Sequence, residues 1–142
     1  MPATQPRPEQ IQALSEHRPE GPLYMLNLLK FKEKASYGDE RETDLTGAEA
    51  YGIYGAGVAK ILSEIGGHIE FGFQTNVLVI GDGELEWDSV ALVRYPSFEA
   101  FVKMTQSDAY QAIHVHREAG LAHQLLINCL SPDQATTAIG LG

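Results

Sequence analysis

Leu23-Tyr24-Met25-Leu26-Asn27-Leu28-Leu29-Lys30-Phe31-Lys32 is the stretch on which the fold turns. Strand alternation places Leu23, Met25, Asn27, Leu29 and Phe31 on one face and Tyr24, Leu26, Leu28 and Lys30 on the other. Both faces are largely apolar, so this strand is expected to be covered on both sides. Helices can hide one face; the second needs another cover. Ahead of it, Pro8-Glu9-Gln10-Ile11-Gln12-Ala13-Leu14 suits a short helix, with proline at the first helical position and an acid in the first turn. Pro19 and Pro22 break that helix.

Beyond the strand, Lys32 to Thr46 is polar, and a loop of this length reads either as plain surface or as cover for a pocket. Thr46 with Glu49 three residues on has capping-box spacing. Tyr51, Tyr54, Val58, Ile61, Leu62 and Ile65 then recur at helical spacing, up to Gly66-Gly67. Gly52, Gly55 and Gly57 weaken that helix by ~1 kcal/mol each relative to Ala, and leave room for a neighbouring backbone or a ligand. His68 to Ile80 reads as a long strand, Gly81-Asp82-Gly83-Glu84 as a turn, and Trp87 to Tyr95 as the returning strand. Ser97 and Ser107 can cap two further helical stretches. A last strand spans about Ala122 to Leu130. The tail from Asp133 has small residues and few anchors and is expected to be flexible.

This order predicts an α+β, ferredoxin-like, four-stranded antiparallel sheet with helices on one face. The helices leave the other face bare, although Leu26 and Leu28 point toward it. Pairing two sheets across a two-fold axis would bury it, so a homodimer is expected.

Composition narrows the function classes. The chain has 142 residues, 44% hydrophobic, 20% charged and 8% aromatic, which suits one globular domain (core about 20–130). Its net charge of −9 argues against a nucleic-acid partner and against an electrostatic grip on anionic membranes. A single cysteine, Cys129, excludes an intrachain disulfide and any Cys-pair zinc site. No apolar run approaches ~20 residues, and the start shows no secretory signal, so a cytoplasmic protein is expected.

Several segments together resemble the dimeric α+β barrel superfamily, and within it an uncharacterised family, number 1330 among the domains of unknown function. They are Tyr24-Met25-Leu26-Asn27-Leu28-Leu29; Tyr51 with Tyr54-Gly55; Gly66-Gly67; Trp87-Asp88; Tyr95-Pro96-Ser97; and Ser107-Asp108-Ala109-Tyr110-Gln111 with Arg117. They cover roughly residues 20 to 130. Arg94 stands where smaller members often carry an acid, and the 32–46 loop looks like an insertion. The superfamily includes cofactor-free monooxygenases, isomerases, dehydratases and haem enzymes, so the resemblance implies the fold without selecting a chemistry.

Five residues carry the candidate chemistry. Asn27 interrupts an apolar face, and a buried amide must find partners: a ligand, or a neighbouring backbone. Arg94 ends an apolar strand and can hold a carboxylate by paired hydrogen bonds, or form an ion pair with Asp88 or Glu86. Trp87 can wall a pocket, as can Tyr51 and Tyr54, although all three also suit a core. His114, with Tyr110 one turn before and Glu118 one turn after, is a candidate general base, with Tyr51 as a second proton-transfer group. On a helix His114 and His116 point about 200° apart and cannot chelate one ion, so no metal is expected. Arg117 reads as a helix-end ion pair. Asp82, Glu84, Glu86 and Asp88 read as a solvated hairpin tip, and Cys129 as a small buried residue. No cofactor motif is present: Gly52 to Gly57 lacks the dinucleotide spacing.

The expectation from sequence is a small-molecule-binding homodimer with a pocket between sheet and helices. The alternatives are a cofactor-independent enzyme of monooxygenase, isomerase or lyase type acting on a small organic acid or aromatic, and a structural dimer without a ligand.

Overall fold

The computed structural model describes residues 3–138. A short helix, α1 (Pro8–His17), precedes strand β1 (Leu23–Phe31). Then follow α2 (Gly47–Glu64), β2 (His68–Gln74), β3 (Ser89–Tyr95), α3 (Phe98–Thr105), α4 (Asp108–Gly120), β4 (Leu121–Cys129) and α5 (Pro132–Ala138). The strands form one antiparallel sheet in the order β2-β3-β1-β4. This is the expected α+β, ferredoxin-like arrangement.

Register fixes the two faces. Leu23, Met25, Asn27 and Leu29 lie opposite Tyr95, Val93, Ala91 and Ser89. On β4, Asn128, Leu126 and Gln124 pair with Met25, Asn27 and Leu29. These residues share the face beneath the helices, where Leu23, Met25, Val93 and Tyr95 join Val58, Leu62, Met104 and Tyr110 in the main core. The opposite, open face carries Tyr24, Leu26, Leu28, Val90, Leu92, Leu125 and Ile127. Leu125 and Ile127 are exposed on it, as is Phe73 of the neighbouring edge strand. The double apolarity read from β1 is therefore real, and within one chain only one side is covered.

Helix packing is set by close approaches. A Cβ on Gly120 would fall 2.2 Å from the Gly47 carbonyl oxygen, and one on Gly47 would fall 2.0 Å from that of Lys32. Gly57 admits the Ile113 side chain, whereas Gly52 and Gly55 face nothing within 4 Å. The Thr46 cap forms as its spacing predicts: its hydroxyl accepts from Glu49 N, and the Glu49 carboxylate accepts from Thr46 N.

Three expectations need correction. The long strand from His68 ends at Gln74, because β3 begins only at Ser89 and leaves 75–88 without a ladder partner. Thr75 N closes the pair onto the Asp88 carbonyl at 3.0 Å, and Val77 to Ile80 stay exposed beyond it. Asp88 is no solvated tip residue. It is half-buried, its carboxylate accepts from Phe31 N at 2.9 Å, and it pairs with Lys30. The tail is not bare either, since Ser131 and Gln134 form a reciprocal cap that starts α5. Gln134 Nε2 also donates to the Pro22 carbonyl at 2.7 Å. Residues 139–142 of the expected tail lie outside the described residues.

The 32–46 loop is folded against the helices. Ala35 N donates to Leu45 O, and Ser36 N to Ala119 O. Ala35 and Tyr37 are buried with Ala50 and Ala119 in a second small core. Tyr37 Oη lies 2.7 Å from His116 Nδ1, while Arg41 stacks on the Tyr37 ring. The loop thus shields one side of α4.

Candidate functional site

Under the helices, β1, β4 and α4 bring a line of polar side chains together. Gln124 Nε2 donates to Asn27 Oδ1 at 2.7 Å, and Arg117 Nη2 donates to Gln124 Oε1 at 2.6 Å. Asn27 Nδ2 turns to the carbonyls of Met25 and Ala91. Asn27 therefore has both a structural and a relay position. Arg117 is 8% exposed, the one buried charged residue among those described. Its Nη1 donates to Glu118 Oε1 at 2.9 Å, and Nη2 also reaches the Thr4 carbonyl at 2.5 Å.

Arg117 and Gln124 form the polar end of a cavity of about 540 Å³. Its walls are mostly apolar: Met25, Leu126 and Phe101 on one side, Ile11 and Leu14 of α1 on the other. No residue of α1 is fully buried, so that wall is lightly packed. Such a volume falls within the usual range for small-molecule sites. A larger concavity of about 790 Å³ lies at the end of β1, lined by Lys30, Lys32, Glu33 and Asp88 among others. Polar and charged residues make up most of that lining, and Asp88 there is already engaged by the Phe31 amide and Lys30.

His114 and Tyr51 both lie within electrostatic reach of Arg117. Aromatic rings run from Phe31 through Tyr51 and Tyr54 to Tyr110 and His114, with centroid separations of 5.2, 5.2, 5.9 and 5.7 Å. The hydroxyls of Tyr54 and Tyr110 are 3.0 Å apart. Burial pushes the Tyr51 hydroxyl up to about 12, partly offset by nearby Arg117. Burial and the Arg117 charge lower the His114 pKa from 6.5, against the pull of Glu118. The two histidines of the His114-Val115-His116 run do diverge: His116 meets Tyr37, and His114 faces Glu118 and Gln5.

Arg94 and Trp87 are elsewhere. Arg94 pairs in register with Tyr24 and His68, which puts it on the open face, and its Nη1 donates to Gly66 O at 3.4 Å. The nearby acids expected for it do not pair with it, since Asp88 holds Lys30 and Glu86 lies 3.7 Å from His123. Trp87 sits in the irregular segment and packs edge-on against His123 at 5.0 Å. His123 Nε2 is buried without a hydrogen-bond partner. Cys129 is half-buried beside Tyr24 on the open face, more exposed than its apolar surroundings suggest. Among the described residues no three His, Cys, Asp or Glu side chains gather as metal ligands, and no helix is long and apolar enough to cross a membrane.

Arg117 is the member that sequence reasoning undervalued. Its pairing with Glu118 was legible; its burial and its contacts with Thr4 and Gln124 were not. The available signal was Asn27, whose buried amide demands a polar neighbour.

Residues 41–128 match the family described as a domain of unknown function, DUF1330. The RPA0582 protein of unknown function from Rhodopseudomonas palustris is 33% identical, with a TM-score of 0.81 over 93% of this chain and 100% of that one. Its methylated form gives 33% identity and a TM-score of 0.80, covering 92% and 97% of the two chains. A DABB family protein with a ferredoxin-like fold from Mesorhizobium loti shares the fold at 12% identity and a TM-score of 0.51, over 79% of this chain and 98% of that one. At3g17210 of Arabidopsis thaliana does so at 14% and 0.50, over 77% and 94%. No curated protein matches. The chain belongs to the DUF1330 family, and its fold is ferredoxin-like.

Proposed function

We propose that this chain is a single-domain, homodimeric, cytoplasmic protein that binds a small organic molecule in the cavity beneath its sheet. The observation that carries this reading is Arg117, a buried guanidinium at the wall of a mostly apolar cavity. Desolvating such a cation costs several kcal/mol, and apolar packing of similar volume often serves stability as well or better. A cation retained there suits recognition. Gln124 extends its donor set, and Asn27 fixes Gln124. Arg94 and Trp87, on or beside the open face, are assigned to the contact between copies rather than to this cavity. The single cysteine fits a reducing compartment.

A thermal-shift screen of metabolites tests the reading. A ligand at 100 times its Kd stabilises the folded state by ~2.7 kcal/mol, which raises Tm by roughly 10 °C for a domain of this size. Leu126 lines the cavity yet is 46% exposed, so Leu126→Trp fills the space with little damage to the core. That variant is expected to keep its fold by circular dichroism and to lose the shift. A variant that responds like the parent removes the cavity from consideration.

A second reading, cofactor-independent catalysis, is favoured by the ring series that ends at His114. Its lowered pKa leaves the imidazole neutral near pH 7 and able to accept a proton, while Tyr51 remains a protonated donor. A ligand recovered unchanged after prolonged incubation sinks the catalytic reading and leaves the binding one. A screen with no response favours a dimer with no ligand.

A further inference from the structure

The N-terminal segment holds the polar end of this cavity. Backbone N of Gln124 donates to the Ala3 carbonyl at 2.9 Å. Arg117 Nη2 donates to the Thr4 carbonyl at 2.5 Å. The Gln5 side chain donates to Glu118 Oε1 and lies 3.4 Å from His114 Nε2. Every one of these tethers ends on β4 or α4 residues that form or flank the site, and residues 3–6 themselves line the cavity. A segment placed this way behaves as an internal ligand.

What it offers tells the ligand's chemistry. The Arg117 charge is already matched by Glu118 at 2.9 Å. The two groups on its Nη2 are uncharged carbonyl oxygens, from the Thr4 main chain and the Gln124 side chain. A carboxylate arriving here would meet Glu118 as a second like charge beside Arg117; the other basic side chain that lines the cavity is His17, at the end of α1. A neutral carbonyl oxygen replaces the Thr4 one without that repulsion, and an apolar body fits the Met25, Leu126 and Ile11 walls.

We propose that the cavity takes an uncharged, carbonyl-bearing apolar molecule whose oxygen displaces the Thr4 carbonyl from Arg117, releasing the 3–6 strap. This rests on the cavity reading above.

The experiment titrates the full-length protein with 2-nonanone and, separately, with nonanoate. Affinity is followed by calorimetry and strap release by hydrogen exchange at the Gln124 amide. The ketone is expected to bind at least tenfold more tightly than the carboxylate and to accelerate exchange at Gln124. Gln5→Ala, an exposed-site change that loosens the strap, is expected to bind the ketone about fivefold more tightly, the loss of one typical net hydrogen bond from the competing state. Tighter binding of nonanoate overturns the charge argument. Ketone binding with Gln124 exchange unchanged or slowed overturns strap displacement while leaving the cavity reading intact. No binding of either probe overturns the proposal, and the Leu126→Trp screen then reports separately whether the cavity binds anything else.

Discussion

His114 sits where opposing influences meet. Burial and the positive Arg117 disfavour its protonated form, Glu118 favours it, and the net result is a pKa below 6.5. Tyr110 and Gln5 are its other near neighbours. Between the folded pKa and 6.5 the unfolded chain binds more protons than the folded one, so stability rises with pH across that interval. The contribution is complete above 6.5 and is lost as the solution is acidified through the interval. Urea unfolding from pH 5 to 7.5 is expected to show a shallower slope for His114→Gln than for the parent; equal slopes contradict the account. At this scale the sequence is partly legible. The divergence of His114 from His116 follows from helix geometry alone. The burial of Arg117 does not, because its partner Thr4 is 113 residues away along the chain. Nor does the helical spacing of Tyr51 and Tyr54 reveal that Trp87 lies apart from them.

Secondary-structure elements were legible where local chemistry decides and illegible where a distant partner does. The Thr46, Ser97 and Ser107 caps all form, each hydroxyl accepting from the amide three residues on. Val77 to Ile80 have the composition of a strand, but a strand needs a ladder partner, and none faces them. The α5 helix shows the reverse error: Ser131-Pro132-Asp133-Gln134 carries a cap, a first-turn proline and an acid, a start signal hidden by the small residues after it. Helix placement rests on glycine. The α2 start and the α4 end meet at Gly47 and Gly120, where backbone oxygens rather than flexible side chains occupy the space a methyl would need. Gly120→Ala is therefore expected to destabilise by about 3 kcal/mol or more, at or above the upper end of typical overpacking costs. Gly52→Ala, in the same helix as Gly47 with open space around it, is expected to be neutral or stabilising by up to ~1 kcal/mol. Chemical denaturation of the two variants side by side checks the contrast; equal effects would show that the close approach does not govern packing.

For the whole molecule, the open sheet face is the largest feature the single chain leaves unanswered. Leu26, Leu28, Leu92, Leu125 and Ile127 share an apolar face that no helix among the described residues covers. Contiguous patches of this kind mark association surfaces. Light scattering at micromolar concentration is expected to give a mass near twice that of one 15.5 kDa chain. Leu26→Glu, which sets a charge at the centre of that face and outside the core beneath the helices, is expected to give one chain's mass with the fold retained. A parent that is monomeric there refutes the pairing. Both faces of β1 could be read from Leu23 to Phe31, and the antiparallel ferredoxin-like sheet followed from the element order. The cavity could not, since its lining comes from residues 3–6, α1, β1, α3, α4 and β4 together.

On the proposed pairing, an uncovered oily sheet also ties the chain's endurance to its own abundance. Partnership is a mass-action gain that vanishes on dilution, so the melting temperature should climb with protein dose, as it does for obligate pairs. A cell that makes little of this protein would then hold a frailer version of it than one that makes much.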